Sequence, residues 1–162
     1  MVSKTEIKYN IWTSGCQMNK SDSEMLAGQF ESLGITPNDS YADSDIIVLN
    51  TCVVRQSAEN NAISLLEKIK LHKTKNQEKI LVVMGCMVGP NSSKLSEKFP
   101  YVDIWARPQD FNPIINFVSD RFNINLDGCL SNVTEKPGVT KFISVMHGCD
   151  KFCTFCIIPY RR

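Results

Sequence analysis

The sequence has little of what marks a membrane-bound, secreted or strongly charged protein. It contains no run approaching the roughly 20 apolar residues that a membrane-spanning helix needs, and residues 1–6 have no apolar stretch typical of a signal peptide. The formal net charge is only +1, so there is no overall excess of charge to attract nucleic acid or acidic membranes. We therefore expect a cytoplasmic protein with no membrane partner.

Histidine is scarce, with two residues, whereas cysteine is comparatively frequent, with seven. An odd number of cysteines in a chain of 162 residues argues against the disulfide framework of small secreted domains. The hydrophobic content of 43% is enough to build a core without such cross-links. In a reducing compartment, cysteines of this kind are typical of metal ligands or catalytic thiols.

Three segments have the pattern of a β-strand followed by an α-helix. Residues 7–12 alternate apolar and polar side chains, and residues 45–49 and 80–84 are short apolar runs typical of strands covered on both faces. A capping box at residues 21–24 predicts the start of the first helix, which ends at Gly34. The other two helices are predicted over residues 58–71 and 93–99. This order predicts an α/β fold, with an open parallel sheet and flanking helices.

The remaining sequence predicts a division into three parts. Residues 102–105 and 111–122 have the patterns of an edge strand and a further helix. Asn, Asp, Gly and Pro then accumulate in a linker, and residues 141–146 have the pattern of a new strand. The predicted parts are a first domain over residues 1–122, the linker over residues 123–139, and the start of a second, truncated domain over residues 140–162.

Three cysteines follow the last predicted strand and lie within eight residues of one another: Cys149, Cys153 and Cys156. Their thiolates can bind three irons of a 4Fe-4S cluster and leave the fourth iron open to the amino and carboxylate groups of S-adenosylmethionine. The reduced cluster could then donate an electron and cleave the sulfonium, which yields a 5′-deoxyadenosyl radical. A zinc site with His147 as the fourth ligand is the alternative.

Each of the three predicted strand–helix units has one cysteine just after its strand: Cys16, Cys52 and Cys86. The carboxyl ends of parallel strands meet at one edge of a sheet, so these cysteines can converge although they are far apart in sequence. Two of them follow a glycine, which permits positive φ and lets a loop come close to an inorganic cluster. Core packing as a small hydrophobic residue is the alternative for each cysteine, but together they predict a second three-thiolate cluster.

Several motifs in the chain resemble those of the radical S-adenosylmethionine methylthiotransferases. They are Gly15-Cys16-Gln17-Met18-Asn19, Asp22-Ser23-Glu24, Asn50-Thr51-Cys52 with Arg55, Gly85-Cys86, Gly148-Cys149 through Cys156, and Pro159-Tyr160. The resemblance covers nearly the whole chain. It implies an auxiliary 4Fe-4S cluster on the first triplet, which handles sulfur, and the radical-generating 4Fe-4S cluster on the second. It also implies that the second domain is the first strand and cluster loop of a radical barrel.

The residues after Cys16 are similar to one branch of that family. Gln17-Met18-Asn19 looks like the branch that converts N(6)-dimethylallyladenosine beside the tRNA anticodon to its 2-methylthio derivative. The branch for threonylcarbamoyladenosine typically has Lys-Val-Asn here, and the ribosomal-protein branch has Pro-Lys-Asn. Both remain alternatives, and so does a non-catalytic iron–sulfur or zinc-binding module.

The resemblance also implies partners, namely a tRNA anticodon stem-loop and a reducing electron donor. The rest of the radical barrel and the RNA-binding domain usual in the family do not follow Arg162, so we expect this chain alone to be an incomplete catalyst. Cys129 matches no ligand position, and His147 is interpreted as a residue that packs near the cluster loop. A basic run is interpreted as a solvated helix face rather than an RNA contact. It consists of Lys68, Lys70, Lys73, Lys75 and Lys79.

Overall fold

The computed structural model describes residues 6–89, 92–126 and 145–161, and within them five strands form one sheet. The strands are β1 (Lys8–Thr13), β2 (Thr36–Pro37), β3 (Ile46–Thr51), β4 (Ile80–Gly85) and β5 (Ile104–Ala106). Their order across the sheet is β2-β1-β3-β4-β5, and every neighbouring pair is parallel. The predicted open parallel sheet is confirmed.

Helices connect the strands and flank the sheet. They are α1 (Gln17–Ser32), α2 (Gln56–Lys75), α3 (Ser93–Lys98), α4 (Asn112–Phe122) and α5 (Ile158–Arg161), with a short 3-10 helix at Tyr41–Asp43. Together with the parallel sheet, these helices confirm the predicted α/β class. Within the three described ranges, no helix is long and apolar enough to span a membrane.

The two central strands, β3 and β4, are buried along their whole length. On one face of the sheet, Val48 and Val82 belong to a core that includes Phe30 of α1 and Ile114 of α4. The core on the other face contains Ile47, Leu49, Leu81 and Val83 with Leu66 and Ile69 of α2 and Phe99. Both strands are continuous apolar runs because side chains on both of their faces are covered.

Helix α1 begins at Gln17, before the predicted capping box. Its N-cap residue is Cys16, which has extended backbone angles and makes no side-chain cap hydrogen bond. Residues 21–23 are buried inside the helix instead, so the predicted helix start was wrong. The cause is tertiary, because the side chains of Asp22 and Ser23 find partners on other elements. Asn50 of β3, for example, donates to the Ser23 hydroxyl.

The region after α4 is described only in part. The C-cap of α4 is Asn123, which has a left-handed φ of 53°. Cys129 and most of the predicted strand at residues 141–146 lie outside the described residues. Val145 and Met146 are described, and they are exposed and belong to no strand. The linker and the start of a second domain stay predictions.

Candidate metal centre

The first triplet lies at one edge of the sheet, just beyond the carboxyl ends of three adjacent strands. Its members are Cys16 after β1, Cys52 after β3 and Cys86 after β4. The loops at these ends are joined directly, since Ser14 N donates to Asn50 O over 2.9 Å and Cys86 N donates to Thr51 O over 3.0 Å. The predicted convergence of the three strand ends is confirmed. The role of the cysteines as ligands stays a prediction.

Two glycines allow the strand ends to approach one another closely. Gly15 has φ +110°, and a Cβ on it would lie 2.5 Å from Cβ and 2.9 Å from Sγ of Cys52. Gly85 has φ +96°, and a Cβ on it would lie 2.5 Å from both Asn50 Oδ1 and Thr51 O. Any other residue would collide there and would also strain the backbone. The glycines before Cys16 and Cys86 are therefore required by close packing at this edge.

The cysteines of the first triplet differ in exposure. Cys16 is exposed, whereas Cys52 and Cys86 are only 3% and 1% exposed. No cysteine in the described part of the chain forms a disulfide, and no three His, Cys, Asp or Glu side chains there are grouped to hold a single metal ion. A 4Fe-4S cluster spaces its ligands more widely, because each thiolate binds its own iron. Three free thiols at adjacent strand ends are the donor set that a three-thiolate 4Fe-4S site needs.

A buried polar network lies directly beneath this edge. Asn19 is fully buried, and its Nδ2 donates to Ser14 O over 2.7 Å and to Thr51 O over 3.0 Å. Asn50 is also fully buried, and its Nδ2 donates to Asn19 O over 2.8 Å and to Ser23 Oγ over 2.9 Å. These bonds tie the exits of β1 and β3 to α1. Sequence reasoning missed the network, although an asparagine at the end of an apolar strand was its one signal.

The loop after β5 reaches the same edge. Gln109 has a left-handed φ of 63°, and its Nε2 donates to Asp22 Oδ1 over 3.2 Å, which ties the loop to α1. An open cavity of about 190 Å³ is lined by Arg107, Pro108 and Asp110 of this loop together with His147. His147 is exposed and lines this cavity, two residues before Cys149.

The segment with the second triplet lies beside this edge and is much more exposed. Cys149 and Cys153 are exposed, and Cys156 is partly exposed. Cys156 N donates to Cys153 O over 3.0 Å, which forms a turn between these two residues. Arg161 Nη1 lies against Gly89, where a Cβ would be only 2.6 Å from it. This contact brings the second segment to the loop that begins at Cys86.

The basic run is partly engaged in contacts within the fold. Lys73 pairs with Asp103, with a distance of 2.6 Å between Nζ and Oδ2. Lys79 donates to backbone carbonyls near the 3-10 helix. Lys70 Nζ lies 5.4 Å from the ring centroid of Tyr101. These contacts favour the interpretation of the run as part of the domain surface rather than an RNA site.

All three cysteines of the first triplet lie in the part of the chain that matches a known protein family. The family described as "Uncharacterized protein family UPF0004" matches residues 8–107. A protein named tRNA-2-methylthio-N(6)-dimethylallyladenosine synthase from Dehalococcoides mccartyi is 38% identical over 154 residues, which is 95% of this chain and 34% of that protein. Proteins of the same name from Dictyoglomus thermophilum and Bacillus licheniformis are 37% and 36% identical. Each match covers 96% of this chain. It covers 38% of the Dictyoglomus thermophilum protein and 33% of the Bacillus licheniformis protein.

These relatives are much longer than the part that matches. The chain spans about a third of the length of the curated relatives described above. The resemblance indicated by the cysteine motifs is confirmed by the names of these relatives and by identity over nearly the whole chain. The chain therefore belongs to the UPF0004 family, and nearly its whole length is similar to part of proteins named tRNA-2-methylthio-N(6)-dimethylallyladenosine synthase.

Proposed function

We propose that this chain is the N-terminal part of a tRNA methylthiotransferase, which converts N(6)-dimethylallyladenosine next to the anticodon to its 2-methylthio derivative. One observation carries the proposal. Three cysteines stand at adjacent strand ends within the matched region, in a chain whose relatives bear the name of that enzyme.

The two triplets would hold two 4Fe-4S clusters. Cys16, Cys52 and Cys86 would ligate the first, and Cys149, Cys153 and Cys156 the second. When bound, the clusters would supply the electron that cleaves S-adenosylmethionine and the sulfur that is methylated and transferred. Each triplet provides three thiolates, which leaves one iron of its cluster without a protein ligand.

The three cysteines of the first triplet would hold a cluster from different surroundings. Cys52 and Cys86 are buried, so their thiolates would be shielded from water and oxidants. Cys16 is the N-cap of α1 and is exposed, so its thiolate would lie on the side that faces solvent. A cluster at this edge would therefore have an inner, protected side and an outer side open to a substrate.

The proposal includes a division of the chain and its partners. Residues 1–122 would form the sulfur-handling domain, residues 123–139 a linker, and residues 140–162 the start of the radical domain. A tRNA anticodon stem-loop would be the substrate, and a reducing protein would supply electrons. The parts of the relatives that this chain does not span would contribute most of the RNA contacts, so this chain alone would not complete the reaction.

The test removes one ligand from each triplet in the protein that contains this chain. Cys52→Ala should abolish methylthio transfer but still permit cleavage of S-adenosylmethionine to 5′-deoxyadenosine. Cys153→Ala should abolish the cleavage itself, since a cluster that lacks one thiolate is not stably held. Cys129→Ala is the matched control and should keep both. The assay is anaerobic incubation with dithionite and isopentenylated tRNA, followed by chromatography of nucleosides.

Three outcomes would contradict parts of the proposal. Zinc instead of iron in anaerobically purified protein would exclude the clusters. Cleavage that persists in Cys153→Ala but is lost in Cys52→Ala would reverse the assignment of the two triplets. A product found only on threonylcarbamoyladenosine or on a ribosomal protein would place the chain in another branch of the family.

A further inference from the structure

The side chain of Asn19 contacts two of the three strand ends at the first triplet. It is fully buried, and its Nδ2 donates to Ser14 O on one side and to Thr51 O on the other. Its Oδ1 accepts a hydrogen bond from Cys16 Sγ over 3.8 Å. Both ends of one carboxamide thus contact either Cys16 itself or the residue directly before Cys52.

The contacts of Asn19 need a carboxamide of this size. An aspartate has the same shape but no N–H groups, so it would set a carboxylate oxygen against two carbonyl oxygens in a buried place. A glutamine would have to fit an extra methylene into a fully buried position. Gly15 makes room for the group, because a Cβ on Gly15 would lie 3.2 Å from Asn19 Nδ2.

We propose that Asn19 is a positioning residue of the first triplet, which sets the spacing of Cys16 and Cys52 before any cluster binds. This inference rests on the proposed function, since it concerns the same three cysteines. The physical basis is preorganisation: a buried group that joins two loops by hydrogen bonds holds the ligands that those loops carry. The hydrogen bond that the Asn50 side chain donates through Nδ2 to Asn19 O fixes Asn19 in turn.

The experiment measures the spacing of the two thiols without metal. A variant of the full chain keeps Cys16 and Cys52 and has serine at every other cysteine. Dibromobimane joins two neighbouring thiols and becomes fluorescent when it does. Asn19→Asp in this variant should slow cross-linking about tenfold, because two hydrogen bonds are lost. Asn61→Asp makes the same change at an exposed position of α2 and should leave the rate unchanged.

Two further measurements separate spacing from other effects. The rate of each single thiol with monobromobimane reports its reactivity and should change much less than the cross-linking rate. Thermal unfolding reports whether each variant folds. If Asn19→Asp does not fold, Asn19→Ser, which is neutral and smaller, replaces it. A folded Asn19 variant that cross-links as fast as its parent would overturn the inference. A parent whose two thiols both react with monobromobimane but do not cross-link would instead count against the first triplet as a site, and so against the proposed function.

Discussion

The two cysteine triplets have the same number of thiols but different surroundings. In the first, Cys52 and Cys86 are buried, and their loops are joined to neighbouring strands by backbone hydrogen bonds. In the second, Cys149 and Cys153 are exposed on a segment whose large apolar side chains are also exposed, among them Phe155 at 92%. Two of the three cysteines in the first triplet are thus buried in the fold, whereas two of the three in the second are exposed on a segment beside it. Substitutions of buried residues in the first region should therefore lower the stability of the protein, whereas substitutions in the second segment should leave it nearly unchanged.

The largest expected difference is between the core of the domain that carries the first triplet and the second segment, and one phenylalanine in each measures it. Phe30 is fully buried against the sheet, whereas Phe155 is almost fully exposed. Phe30→Ala should lower the free energy of unfolding by about 3–5 kcal/mol, through lost burial and the cavity left behind. Phe155→Ala should change it by no more than about 0.5 kcal/mol. Urea denaturation followed by circular dichroism measures both. A loss of several kcal/mol in Phe155→Ala would show that the second segment is part of the core, and would break the comparison.

A smaller effect should separate the first triplet from another turn with the same backbone conformation. Gly15 and Gly34 both have positive φ, but a Cβ on Gly34 would have nothing within 4 Å. Gly34→Ala should therefore cost only the backbone strain, about 1 kcal/mol. Gly15→Ala should cost about 2–4 kcal/mol, because it adds a collision with Cys52. Equal losses of unfolding free energy in the two variants would mean that the end of β1 can move away from Cys52. The hydrogen bonds at this edge would then not hold it rigidly.

The smallest effect is on stability at alkaline pH. Burial raises the pKa of Tyr101 from 10.0 to about 12, and the Glu67 carboxylate adds to the rise. The folded state then keeps a proton that the unfolded state loses, so stability should be complete below pH 10 and fall as the pH rises toward 12. Tyr101→Phe should make this alkaline loss less steep, whereas Tyr160→Phe, in the exposed second segment, should not. Unfolding measured by urea at several alkaline pH values tests this, and identical pH profiles for both variants would contradict it.

The central part of the fold was predictable because its signals are local and strong. Strands β3 and β4 are continuous apolar runs, which in a chain of alternating strands and helices indicate a parallel sheet covered on both faces. Once the strands are parallel, the convergence of Cys16, Cys52 and Cys86 follows from topology alone. The number of residues between the cysteines did not enter the prediction.

Other features could not be predicted, because their causes are long-range. Strand β2 has only two residues, Thr36 and Pro37, and no periodicity can be read from so short a segment. The start of α1 was placed too late because Ser21 and Ser23 look like capping or solvent-exposed residues. Both are buried, and Ser23 has a partner far away in the sequence, Asn50. The bridging role of Asn19 has the same origin, since it depends on a carbonyl of another strand.

The register of β3 has a consequence for the length of the chain between the cysteines. Residues in a strand alternate between its two faces, so the loss of one residue from β3 would turn each residue beyond the deletion to the opposite face. Thr51, which lies opposite Gly85 in β4, would be displaced, and Cys52 with it. By contrast, residues added to the exposed end of α2, around Lys75, would lengthen a connection without moving either strand end. Insertions between Cys52 and Cys86 are therefore tolerated at the end of the helix. Insertions or deletions within the strands are not.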